Sequence, residues 1–184
     1  MRDLARRGAA FLDRDGTINV KAPDGEYITA PEQVRLLPGA AAAIRRLNDA
    51  GVLVVVVTNQ RGISLGRMTE DGLQEVHARL RALLAAQAGA HVDAFLHCPH
   101  NDGECDCRKP QPGLLRDAVR RFPEIDLDTS VVIGDAPSDA AAGGRFGVAS
   151  LQLGRDAADL DDAVDIAMRQ GMIATMDQIT LARV

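Results

Sequence analysis

Residues Val52 to Val57 read VLVVVV, apolar at every position. A strand with one wet face alternates apolar and polar side chains. A run with no alternation must be covered on both faces, which happens almost only in a parallel sheet clad by helices. The flanks agree. Before the run, Ala40, Ala43, Ile44, Leu47 and Ala50 recur at helical spacing after Pro38-Gly39, and Gly51 supplies the stop. After it, Thr69 is an N-cap for a helix to about Gln87, with Leu73, Val76, Leu80, Leu83 and Leu84 as its apolar stripe.

The same alternation of elements continues. Ala9 to Asp13 reads as a first buried strand, and the Gly- and Pro-bearing segment from Arg14 to Gln33 as a long loop. Further strands are expected at Val92 to His97, Val131 to Ile133 and Gly147 to Leu153. Helices are expected from Gly113 to Phe122 and after a cap at Ser138. Beyond Gly154 the pattern weakens, with an edge strand at Val164 to Ala167 and a helix at Met176 to Ala182 as the expectations. Alternating strands and helices predict an α/β chain: one doubly wound, Rossmann-like parallel sheet in a single domain over residues 1–184.

Composition removes several function classes. The 184 residues carry a formal net charge of −5, which leaves no basic surplus for a general nucleic-acid partner. No apolar run is long enough for a bilayer span, and no secretory apolar core precedes Asp13. The expectation is a cytoplasmic, monomeric protein with no membrane partner. Cys98, Cys105 and Cys107 are an odd, tightly clustered set, which suits a metal better than a disulfide framework or reduced core thiols.

Four predicted strands end in polar groups: Asp13 with Asp15, Thr58 with Asn59, Cys98 with His100, and Asp135 with Asp139. Doubly wound sheets bind ligands beyond these carboxyl ends, so the fold should gather all four at one edge. Crowded aspartates repel one another and raise each other's pKa. A hard divalent cation such as Mg²⁺, together with Lys109, would relieve that crowding, and a phosphoryl group would complete the charge balance.

This set of segments resembles the haloacid dehalogenase superfamily of phosphotransferases. DxDGT is present as Asp13 to Thr17, the threonine after an apolar strand as Thr58, the lysine as Lys109 in CRKPQPG, and the acidic cluster as GDAPSD with Asp135 and Asp139. All four stand in the family's order and setting. The resemblance implies that Asp13 attacks phosphorus and that Asp15 protonates the leaving alkoxide and then activates water. It implies Mg²⁺ held by Asp13, the backbone carbonyl of Asp15 and Asp135, with Thr58 and Lys109 on phosphoryl oxygens. A dehalogenase would not need an acid at Asp15. A polynucleotide 3′-phosphatase fits the charge and scarce aromatics poorly, and a zinc-stabilised binding module would have lost a catalytic position.

FLDRDGTIN, TNQRGI and CxH followed by CxCRKPxPG resemble, more narrowly, the heptose 1,7-bisphosphate phosphatase branch, whose motifs the histidinol-phosphate phosphatases share. This implies a small phosphorylated sugar as substrate and a structural Zn²⁺ at Cys98, His100, Cys105 and Cys107, pinning the loop 98–107 that delivers Arg108 and Lys109. The short spacings between motifs leave no room for more than a minimal cap. A flap containing Asp24, Gly25, Glu26 and Tyr27 would cover the substrate, with Asn59, Gln60, Arg61 and Arg108 as further contacts. Three features depart from relatives: the short Asn101–Glu104 link, Lys21-Ala22-Pro23 in the flap, and Ala136 where a lysine is frequent. His77, His91 and His97 are expected to be packing or surface groups, Asp139 a helix-end charge, and Arg79 and Arg81 a solvated helix face.

Overall fold

The computed structural model describes residues 6–173. The helix expected at Met176 to Ala182 lies outside these residues. Strands β1 (Ala9–Leu12), β2 (Leu53–Asn59), β3 (Ala94–Cys98), β4 (Val131–Gly134) and β5 (Ala149–Gln152) form one sheet in the order β3-β2-β1-β4-β5. Every pairing is parallel, with Leu12 of β1 opposite both Val56 and Ile133. Helices α1 (Ala40–Asp49), α2 (Glu70–Ala88), α3 (Gly113–Arg121), α4 (Pro137–Phe146) and α5 (Leu160–Arg169) alternate with the strands.

The unbroken apolar run divides its side chains between two cores, as a strand's period of two requires. Val54 and Val56, with Ala10, Leu12 and Ile133, pack against α1, α2 and α5. Leu53, Val55 and Val57, with Ala9, Phe11 and Val132, pack against α3 and α4. Each fully buried Val, Leu or Ile contributes about 1.5–3 kcal/mol, so the two helix layers need no large aromatic residues to hold them.

Chain order makes β1 the centre. The chain runs outward from β1 through β2 to β3, then crosses back to β4 on β1's other side. The crevice at this reversal lies beyond the ends of β1 and β4, where Asp13 and Asp135 emerge. The Asp13 amide still donates to Ile133 O (2.9 Å), so the aspartate leaves the sheet in register with β4. Between Asp13 and Lys109 the described residues hold core elements, loops and one short 3₁₀ turn (Pro31–Gln33), with no inserted cap domain.

Two local expectations are corrected. Val164 to Ala167 is helical, not an edge strand: Leu160, Ala163, Val164 and Ala167 form one buried helical face of α5, and Asp159 caps it through Asp162 N. Ser138 does not cap α4. Pro137 takes the first helical position, Ala136 is the N-cap residue, and the Asp139 carboxylate reaches back to accept from the Ala136 amide (3.0 Å). No helix among the described residues is long and apolar enough to cross a membrane.

Candidate active site

Asp13 ends β1 facing Lys109. Lys109 Nζ donates to Asp13 Oδ1 (2.7 Å) and to Val57 O (2.7 Å), and lies 2.6 Å from Asp139 Oδ1 in an ion-pair contact. All three charged side chains are buried or nearly so. Burial pushes the Asp13 carboxyl up to about 6, with Lys109 opposing and Asp139 adding to the rise. Burial works against the Lys109 charge, but Asp13 and Asp139 outweigh it and hold the ammonium above its ordinary range.

Carboxylate oxygens of Asp13, Asp135 and Asp139 lie within 4.8 Å of one another. Among the described residues Lys109 is their one buried cation; Lys21, from the flap, reaches Asp135 Oδ2 (3.1 Å) but is largely exposed. Hard oxygen donors with a surplus of negative charge fit a divalent cation such as Mg²⁺. Two glycines make this crowding sterically possible. A Cβ on Gly16, whose φ is +85°, would stand 2.4 Å from Asp135 Oδ2, and one on Gly134 would stand 2.1 Å from Asp139 Oδ2. Asp139 therefore does more than charge a helix end: it caps α4 and pairs with Lys109.

The Asp15 carboxylate is not in this cluster. Arg14 grips it with Nε on Oδ1 (3.1 Å) and Nη2 on Oδ2 (2.7 Å), Asn19 Nδ2 donates to Oδ1 (2.9 Å), and Gln60 Nε2 donates to Oδ2 (3.0 Å). Burial acts to raise this carboxyl, but Arg14, Asn19 and Gln60 outweigh it and hold it below the ordinary carboxylate range. Asp15 thus sits apart from Asp13 both in partners and in the direction of its shift. These are the directions of the metal-free protein: a cation at the Asp13 cluster would favour the ionised Asp13 carboxylate and reverse its shift.

Thr58, Asn59 and Gln60 leave the end of β2 together. Thr58 lines a cavity of about 150 Å³ with Asp13, Asp15, Asn59 and Lys109. Both ends of the Asn59 amide are committed to the Lys109 backbone, donating to its carbonyl (3.0 Å) and accepting from its amide (3.0 Å). Gln60 is buried and ties Asp15 to Thr58 Oγ1 (2.9 Å). A second cavity of about 280 Å³ is lined by the flap, including Asp24, Gly25, Glu26 and Tyr27, and by Asp15, Asn59 and Gln60. Arg61 and Arg108 line neither cavity. Arg61 Nε donates to Asn101 Oδ1 (2.9 Å), while Arg108 pairs with Asp102 and donates to His100 O (3.4 Å).

Cys98, His100, Cys105 and Cys107 converge with all four ligand atoms within 4.8 Å. The Sγ atom of Cys105 stands 3.5 Å from that of Cys98 and 3.2 Å from that of Cys107, and His100 Nδ1 is 3.5 and 3.3 Å from the Cys98 and Cys107 sulfurs. Zn–S bonds of about 2.3 Å would need sulfurs about 3.8 Å apart, so this cage is close to a tetrahedral Cys₃His site with no fifth position. Its placement ties it to the ends of β2 and β3 and to the Lys109 segment. Cys98 is the register partner of Asn59, and its carbonyl accepts from Gln60 N (2.7 Å). Cys107 lies two residues before Lys109.

Arg14 is the residue that sequence reasoning passed over. A long cation between two aspartates reads as surface, yet it is fully buried. His77 is buried, as expected, and stacks on Phe95 (centroids 4.3 Å apart), but its Nε2 also lies 3.4 Å from Arg14 Nη1. Arg81, on the exposed side of α2, lies over the same Phe95 ring (4.5 Å). His91 is exposed, and His97 meets Glu70 (2.8 Å).

Residues 2–147 match the haloacid dehalogenase-like hydrolase family. A Rhodopseudomonas palustris protein named D-glycero-beta-D-manno-heptose-1,7-bisphosphate 7-phosphatase is 38% identical over 177 residues, covering 91% of this chain and 92% of its own. The alpha-anomer enzyme of Mycobacterium tuberculosis H37Rv is 41% identical over 152 residues, 78% of each chain. Among solved structures, the D,D-heptose 1,7-bisphosphate phosphatase of B. bronchiseptica, complexed with magnesium and phosphate, superposes with a TM-score of 0.78. It is 31% identical and covers 88% of this chain and 99% of its own. A HAD-like phosphatase from Mesorhizobium loti gives the same TM-score at 35% identity, over 91% of this chain and 88% of its own.

Proposed function

The chain belongs to the haloacid dehalogenase-like hydrolases and is a phosphatase, and we propose that it removes the 7-phosphate of a heptose 1,7-bisphosphate, with Mg²⁺ at the carboxylates and Zn²⁺ at the thiolates. The observation that carries this reading is that Asp15 borders both cavities, the small one with Asp13 and Lys109 and the larger one under the flap. A phosphoryl group in the first and a sugar in the second would meet at the bond to be broken, beside Asp15. The names of the relatives supply the sugar.

Asp13 is the nucleophile in this scheme. Lys109 holds Oδ1, which leaves Oδ2 for attack on phosphorus. The new Asp13–phosphorus bond forms as the bond to the sugar oxygen breaks. Asp15, which its N–H donors hold ionised in the free protein, must take up a proton as the dianionic substrate enters beside it, and gives that proton to the departing oxygen. Asp15 then takes a proton from water, whose oxygen attacks phosphorus and frees phosphate from Asp13. Thr58 and the ammonium of Lys109 stabilise the phosphoryl oxygens as charge shifts onto them. Mg²⁺, held by Asp13, Asp135 and the Asp15 backbone carbonyl, would neutralise those oxygens and the crowded carboxylates. The thiolate cage and the Asn59 clamp keep the Lys109 segment in place.

The test is phosphate release from heptose 1,7-bisphosphate, histidinol phosphate and common hexose phosphates under equal conditions with Mg²⁺. The bisphosphate should give the highest kcat/KM and yield the heptose 1-phosphate. A preference for histidinol phosphate, or loss of the 1-phosphate instead, would overturn the substrate assignment.

A further inference from the structure

Arg14 is a guanidinium with no exposed surface, on the two-residue step between the two active-site aspartates. Consecutive residues of an extended chain point to opposite sides. Here the chain turns as it leaves β1, with Arg14 O accepting from Ile18 N (2.9 Å) and Asn19 N (3.1 Å), and the Arg14 and Asp15 side chains fold together. The result is a two-point grip of the guanidinium on the Asp15 carboxylate. Nη2 is shared with Gln60 Oε1 (3.3 Å), and Gln60 in turn holds Asp15 and Thr58.

The far side of the guanidinium meets His77 of α2, with Nη1 3.4 Å from Nε2. A guanidinium only donates, so Nε2 must accept and the imidazole must be neutral, with its proton on Nδ1. Burial, together with Arg14, His97 and Arg81, holds the ring down to about 3, which agrees. Nδ1 has no partner among the described residues although it is buried. A leucine would fill this part of α2 without leaving a polar atom unpaired, so packing alone does not account for the histidine.

We propose that Arg14 is a positioning residue for Asp15, and that His77 is the buried acceptor that seats the Arg14 guanidinium. The inference rests on the reading of Asp15 as the group that protonates the leaving oxygen. Asp15 can then serve proton transfer only while its carboxylate is aimed along the border between the two cavities. The two-point grip supplies that aim, because a fork matched to a carboxylate fixes its plane as well as its distance.

The test exploits leaving groups. An alkyl oxygen of a sugar phosphate needs its proton as it departs, whereas the nitrophenolate of p-nitrophenyl phosphate leaves with little help. The readout is the kcat/KM ratio of sugar phosphate to p-nitrophenyl phosphate, which reports steps through the first bond cleavage. Asp15→Asn sets the benchmark and should lower the ratio steeply. Arg14→Met, which keeps the buried length, should lower it about tenfold or more, within the range of a lost general acid. His77→Phe, which keeps the stacking on Phe95, should lower it in the same direction, and His77→Asn, which restores an acceptor, should recover most of the loss. If the benchmark falls but Arg14→Met and His77→Phe slow both substrates equally, the positioning role is overturned while the reading of Asp15 stands. If Asp15→Asn leaves the ratio unchanged, that reading fails and the proposal with it. Should Arg14→Met not fold, the His77 pair decides by the same ratio.

Discussion

Gly16 and Asp135 are built into one another's space: a Cβ on Gly16 would lie 2.4 Å from Asp135 Oδ2, and the Gly16 φ of +85° suits no L side chain. The glycine of the first acidic motif therefore does two things. It turns the chain out of β1, and it lets a carboxylate from β4 approach Asp13. A side chain at 16 would have to push the Asp135 carboxylate out of the cluster.

Gly16→Ala should destabilise the fold by about 1–2 kcal/mol from backbone strain alone. It should also weaken Mg²⁺ binding, because Asp135 must move. Thermal melting and calorimetric Mg²⁺ titration check the two effects separately. Unchanged Mg²⁺ affinity would show that Asp135 does not depend on this close contact.

The Asp13 carboxyl makes Mg²⁺ binding pH-dependent, and the sign follows from its shift. Burial raises it from an ordinary 3.8 to about 6, so the metal-free folded protein keeps this proton more tightly than the unfolded chain. Stability from this group is present below about pH 4 and lost as pH rises through 6. The cation needs the ionised form, so binding below pH 6 must displace a proton. Apparent Mg²⁺ affinity should fall by about tenfold between pH 7 and pH 5 through this one group. Asp13→Asn should flatten that dependence, measured by titration calorimetry at each pH.

The thiolate cage predicts a bound metal and a division of labour. The purified protein should carry one Zn²⁺ per chain by elemental mass spectrometry. Cys105→Ser should lose it and melt at lower temperature, since a metal-bound loop contributes folding free energy. The damage to turnover should follow from disorder at Lys109, with kcat falling more than KM rises. A zinc-free Cys105→Ser protein with unchanged melting temperature would refute the structural role.

The sheet was readable in the chain because its evidence is local. Val52 to Val57 has no polar face to give water, and the aspartates and threonine stand immediately after apolar runs, so strand ends and ligand edge came together. Elements decided by packing were harder. Val164-Asp165-Ile166 alternates apolar and polar and suits a short strand in isolation, and only the phase of Val164 and Ala167 with Leu160 and Ala163 marks the helical face of α5. The α4 cap was hidden because Ser138 is the better capping residue by type, while Pro137 had already claimed the first helical turn.

Side-chain partners from distant segments were the least legible. Arg61 and Arg108 are expected at the substrate by motif, and the sequence does not announce the Asn101 and Asp102 partners that the folded loop gives them. Asn59 reads as a substrate contact by position and lines both cavities, and the match of its amide to the Lys109 backbone, fifty residues away, is legible only in the fold. Arg14 needs His77 and Gln60 to be understood, and no spacing in the chain announces that meeting. A lone histidine on the apolar stripe of α2 was the one available sign.

The central claim is that Asp13 carries the phosphoryl group between sugar and water. It is tested most directly by quenching the enzyme with acid during turnover of heptose 1,7-bisphosphate, reducing with borohydride and sequencing the peptides by mass spectrometry. Reduction converts an aspartyl phosphate to homoserine, so the account predicts homoserine at position 13 in wild type and none in Asp13→Asn. Homoserine at position 15, or full turnover by Asp13→Asn, would contradict it.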